Sequence, residues 1–146
     1  MTIPCKCVLG SLLLLASGCG KKEDAGPPTR RVQIRITATD LTGLGAAHYF
    51  DRRRLNGRLE PQQQALATNN TSRVIDDLRM EIGEAAQVVL VFKEVTAASS
   101  VRPGPAAQYT AEILVDGAVQ ERAVLDRSTP LNANGNFFAV AEAEIK

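Results

Sequence analysis

The chain has 146 residues, room for one domain and too few for two of ordinary size. Charged residues make up 23% and hydrophobic residues 45%, which places it with chains that fold rather than stay disordered. Seventeen Lys and Arg against sixteen Asp and Glu leave a net of +1, which excludes a strongly basic nucleic-acid binder and an acidic solvating tail.

The first twenty residues read as an address. Met1–Cys7 carries one positive charge, Lys6, and Val8–Ser17 is apolar or small, with four leucines from Leu12 to Leu15. Such a run is too short for a bilayer-spanning helix, which needs about 20 apolar residues. A charged start, a short apolar run and small residues make a secretory signal peptide. The segment ends Leu15-Ala16-Ser17-Gly18-Cys19. It resembles the lipobox of bacterial lipoproteins, although the leucine usual three places before the cysteine is here Ala16.

That resemblance implies cleavage after residue 18, diacylation of Cys19, and anchoring in the cell envelope without a transmembrane helix. Cys5 and Cys7 would leave with the signal peptide and Cys19 would carry lipid. Cysteine nucleophiles, disulfides and Cys-ligated zinc would then be excluded. Losing Lys6 with residues 1–18 would bring the side-chain charge to zero.

Residues 19–29 form a lipidated cysteine and a polar tether with two prolines, expected to be flexible. Lys22-Glu23-Asp24 resembles the surface-export signal of some bacterial lipoproteins, and no aspartate follows Cys19 directly to imply inner-membrane retention. The expected location is the outer membrane, at its periplasmic face or at the cell surface, with the membrane as one partner and an envelope protein as a possible second.

Residues 30–146 read as one all-β domain. Val32, Ile34 and Ile36 alternate with Arg31, Gln33 and Arg35, the period of a half-buried strand over 31–39. Asn56-Gly57 and Asp116-Gly117 each sit between strand-like runs and favour tight hairpins. Glu60–Thr71, glutamine-rich with Pro61, is expected to be a loop or a single helical turn. Arg73–Ile82 fits either a strand over 78–82, paired with the next through Gly83–Ala86, or a helix capped by Ser72. The run Val88–Phe92 predicts a central strand covered on both faces. Val101–Ala107, with Pro103-Gly104-Pro105, is expected to be a loop. Phe137, Ala139, Ala141, Ala143 and Ile145 share one face of a last strand, with Glu142 and Glu144 on the other.

Six to eight short strands predict an antiparallel β-sandwich, immunoglobulin-like but without the Cys-Trp-Cys signature. The stretch Tyr109-Thr110-Ala111-Glu112-Ile113-Leu114-Val115-Asp116-Gly117-Ala118-Val119 is similar to a hairpin of small sandwich lipoproteins, and faintly to mycobacterial small membrane proteins that accompany lipid exporters. The second likeness implies an exporter-accessory role; the cysteine pair of that family is missing.

Little in the sandwich suits catalysis. His48 is the only histidine, and no Gly-x-Ser-x-Gly elbow accompanies it. As a metal ligand it has only carboxylates for company, so no metal or cofactor is expected. Beside Tyr49 and Phe50 it reads as a strand residue with one hydrogen bond. Glu142 and Glu144 share a face, and with His48 they form the enzymatic alternative, a small carboxylate-based hydrolase or metal enzyme. As a strand, Asp76-Asp77 would point to opposite faces. Arg52, Arg53, Arg54 and Arg58 make the densest positive cluster: either a binding patch for phosphate headgroups or an acidic partner, or a charged edge strand that discourages sheet-to-sheet pairing. No Trp and two Tyr count against carbohydrate binding and nucleic-acid stacking. The reading is a lipid-anchored, non-enzymatic binding or structural protein.

Overall fold

A computed structural model describes residues 26–66 and 71–146. Eight strands run in order: β1 (Thr29–Thr39), β2 (Ala46–Arg53), β3 (Leu59–Leu66), β4 (Thr71–Glu81), β5 (Ala85–Thr96), β6 (Gln108–Val115), β7 (Ala118–Asp126) and β8 (Asn136–Glu144). Among the described residues all but β3 contribute buried apolar side chains, and two antiparallel four-stranded sheets bury them against one another. One sheet has the order β4-β1-β6-β7 and the other β3-β2-β5-β8. The molecule is the β-sandwich that the alternation predicts.

Successive strands are divided between the two sheets. Here β1 pairs with β4 and β6, while β2 lies in the opposite sheet between β3 and β5. The core follows the predicted faces. Val32, Ile34 and Ile36 of β1 meet Phe50, Leu90 and Phe92 from across the sandwich, all buried. Phe92 stacks between Tyr109 and Phe137, with ring centroids 6.3 and 5.7 Å away.

Several expectations need correction. Of residues 60–71, expected to be a loop or a single helical turn, 60–66 belong to β3 and Thr71 opens β4. Pro61 is tolerated because β3 is an edge strand, where a missing N–H need not break a ladder. Residues 67–70 lie outside the described residues. The helix alternative for 73–82 does not form, and the strand there is longer than expected. It pairs with β1 and not with β5: Glu81 stands opposite Thr29, and the chain crosses at Gly83-Glu84 into the other sheet. The strand β5 is central but covered on one face only. Val88, Leu90 and Phe92 are fully buried, whereas Val89 and Val91 keep partial exposure on the outer face. The arginine-bearing strand β2 is interior, not an edge, so its charges do not act as edge protection.

The two Gly turns also differ. Asp116 and Gly117 have φ of 50° and 84°, the paired positive values of a two-residue type I′ hairpin. At Asn56-Gly57 only Gly57 is left-handed, with φ 78°, and the Gly57 N–H closes the turn on the Arg54 carbonyl at 2.8 Å. A Cβ at Gly117 would meet nothing within 4 Å, so only its backbone conformation resists a side chain. Gly117→Ala is therefore expected to lower stability by about 1 kcal/mol, the cost of a left-handed L-residue. Urea denaturation with an unchanged m-value checks this, and an unchanged midpoint would contradict the type I′ assignment.

Candidate functional site

The arginine cluster is built by strand alternation at the end of β2. His48, Phe50 and Arg52 face inward, while Tyr49 and Arg53 face outward. The inward guanidinium of Arg52, 13% exposed, meets Glu84, whose side chain is 1% exposed. Glu84 Oε2 accepts hydrogen bonds from Arg52 Nε at 3.0 Å, from Arg52 Nη2, and from the Glu81 backbone N–H at 2.8 Å. Its Oε1 accepts from Arg54 Nη1 at 3.2 Å, and Arg54 Nε also donates to Glu60 at 2.7 Å. The backbone joins in: Ile145 N–H donates to the Glu84 carbonyl at 2.8 Å, and Gly83 N–H to the Ile145 carbonyl at 2.7 Å. One carboxylate thus ties β2, the β2–β3 turn, the crossover between sheets and the end of the chain.

Burial pushes the Glu84 carboxyl up, but the hydrogen bonds from Arg52 and Glu81 together outweigh it and hold the group below its ordinary value. Arg53 pairs with Glu142 on the outer face. Arg58 makes no ion pair among the described residues; its backbone N–H binds Asn56 Oδ1 at 3.0 Å. Of the four arginines expected to form a patch, three have acidic partners within the fold and Arg52 is mostly buried.

Glu142 and Glu144 do share a face, as expected, but it is the outer face of β8. Glu142 accepts from Gln87 at 2.9 Å as well as from Arg53. Both border a shallow hollow of about 350 Å³ whose rim also carries Arg30, Asp116, Glu121 and Lys146. His48 faces the other way in the same sheet, into the core, opposite Leu90 of β5. The three residues of the enzymatic alternative are therefore not brought together. Asp77 receives Arg31 and Gln33 of β1. Among the described residues no three His, Cys, Asp or Glu are grouped to hold a metal.

His48 makes one hydrogen bond, as its surroundings predict. Its Nδ1 lies 2.5 Å from Tyr109 Oη, a contact joining β2 to β6 across the sandwich. Nε2 is buried with no hydrogen-bond partner among the described residues. Burial above all, and the charge of Arg73, lower the His48 pKa from 6.5, so the folded ring stays neutral. Burial raises the Tyr109 hydroxyl in turn, with Arg73 opposing.

The outer face of the β3-β2-β5-β8 sheet bears an apolar area that sequence reading missed. Val89, Val91, Phe138 and Tyr49 line a shallow depression of about 430 Å³, with Lys93 Nζ 5.6 Å from the Tyr49 ring centroid. Its one available signal was the unbroken run Val88–Phe92, where a one-faced strand would have alternated with polar residues.

The Glu84 cluster carries a direct prediction. Glu84→Gln leaves Arg52 buried without its charge partner and is expected to cost about 3 kcal/mol at pH 7. Because folded Glu84 ionises below its ordinary 4.5, its contribution is full above that pH and fades as pH falls through the folded value. The His48 contribution is full above pH 6.5 and fades on acidification below it. Urea titrations across pH should show both declines in the native chain and a shallower acid one in Glu84→Gln, where Asp77 and Asp126, also held below their ordinary values, still contribute. An acid limb unchanged by the substitution would contradict the assignment.

No protein-family model matches the chain, and no curated protein is similar to it in sequence.

Proposed function

We propose that this chain is a bacterial lipoprotein, and that its sandwich is a non-enzymatic binding or scaffolding module held at the cell envelope through Cys19. The observation that carries the proposal is the order of its first residues: Lys6, the leucine run 12–15, the small residues Ala16-Ser17-Gly18, and then Cys19. A polar, proline-containing stretch follows before β1 begins at Thr29, as a tether between an anchor and a folded domain requires. The proposed location is the outer membrane, at its periplasmic face or at the cell surface.

A non-enzymatic role is supported by the use of the buried ionisable groups. Glu84 is saturated by Arg52, Arg54 and the Glu81 N–H, and His48 is buried with its Nδ1 on Tyr109. Neither has an open neighbour of the kind that acid–base work needs. Contact area, in contrast, is available on the outer sheet face around Val89 and Phe138, which suits an envelope protein partner.

Expression in bacteria with an alkyne-labelled fatty acid tests the anchor. The native chain is expected to incorporate label and to partition with membranes, and Cys19→Ala to incorporate none. Equal labelling of the two would overturn the proposal.

A further inference from the structure

The β-strand registers bring five chain segments to one end of the sandwich. Thr29, where β1 starts, lies opposite Glu81; Arg53 lies opposite Ala85, and Ala85 opposite Glu144. The Asp116-Gly117 hairpin joins them, since the Asp116 N–H donates to the Arg31 carbonyl at 2.8 Å. The last residue arrives as well, with Arg30 Nε donating to the Lys146 carbonyl at 3.2 Å. The N-terminal chain leaves from this end, where Ile82 N–H donates to the Pro28 carbonyl at 3.2 Å.

Large apolar side chains are exposed unevenly along the sandwich. Leu55 (61%), Leu59 (53%), Ile82 (41%) and Val119 (48%) are on or beside the turns of this end. Elsewhere the exposed large apolar side chains are scattered: Leu131 in a loop of the opposite end, Val74 on β4, and Phe138 and Val140 on β8. Leu55 lies over Gly83, where a Cβ would come within 2.8 Å of a Leu55 methyl, so the β2–β3 turn and the crossover form one apolar tip. Arg58, without an ion pair among the described residues, flanks it, with an aliphatic stem long enough to keep its charge at headgroup level. Acids are present too, at Glu81 and Glu144, so apolar area rather than net charge is the attraction.

We infer that this tip is a membrane-contact surface: Leu55 and Ile82 enter the bilayer interface while the lipid at Cys19 holds the same end against it. The inference rests on the lipoprotein reading, and the position of the tether is what selects a bilayer as the occupant. The ten residues from Cys19 to Pro28 reach at most about 35 Å even when fully extended. The end they enter is therefore the end tethered within that distance of the lipid. An apolar edge in such a place is buried about 5–10 Å into the boundary between headgroups and acyl chains.

The chain has no tryptophan, so a single introduced one reports alone. Leu55→Trp and Ile82→Trp probe the tip, and Leu131→Trp is the matched control at the far end. Each full chain is purified with its acyl chains and reconstituted into phosphatidylethanolamine–phosphatidylglycerol vesicles containing a phosphatidylcholine brominated on its acyl chains. The tip tryptophans are expected to be quenched about twofold or more and the control hardly at all, as interfacial burial of one end requires. Equal quenching at the two ends, or none at the tip, would overturn the inference while labelled Cys19 left the anchor intact. If the label is absent, the lipoprotein reading falls, and the same comparison with added vesicles still decides the tip. Tip emission already blue-shifted without vesicles, in a dimeric species, would overturn it in favour of self-association.

Discussion

The structure depends on a carboxylate that has no right to be buried alone. Glu84 stands where the chain leaves one sheet for the other, and a lone ionised group in that position would cost several kcal/mol. Arg52 and Arg54 reach it from β2 and its turn, and the Glu81 N–H completes the set. The consequence is geometric. Charges that look like a surface patch become the interior fastening of one end of the sandwich, and Ile145 docks on the same residue through its backbone. At mid-height a lighter version of this device, His48 with Tyr109, links the sheets again.

That fastening orders the rest of the molecule. With Arg52 and Arg54 drawn toward Glu84, and Arg53 toward Glu142, the tip beyond them is left to Leu55, Ile82 and Arg58. The proposed anchor enters beside this tip. The outer face of the β3-β2-β5-β8 sheet keeps Val89, Val91 and Phe138 partly open, the area proposed for an envelope partner. The proposal thus gives anchoring and partner contact to different parts of a domain whose buried Glu84 and His48 are engaged in structure.

What could be read from the sequence was local. The period of two in 32–36 and 137–145 survives intact because each strand has one buried face. Asp116-Gly117 was legible because few residues other than such a pair accept two left-handed conformations in succession. Partnership was not legible. Gly83-Glu84 has the local chemistry of a hairpin turn, yet here the chain crosses between sheets, a choice made by contacts with Ile145 and Arg52, distant in sequence. Pro61 argued for a loop only while the edge position of β3 was unknown. The arginines were visible as a cluster, but their acids, Glu60, Glu84 and Glu142, come from three separate places in the chain, and nothing nearby in sequence announces them.

The most direct test of the central claim is the coupling between Arg52 and Glu84. Stabilities of the native chain, Arg52→Ala, Glu84→Ala and the double variant, measured by urea denaturation at pH 7, close a thermodynamic cycle. If these side chains form one buried unit, the double variant will be less destabilised than the sum of the singles by more than about 1 kcal/mol. Strict additivity would mean that the pair is incidental, and that the sandwich is closed at this end by something else.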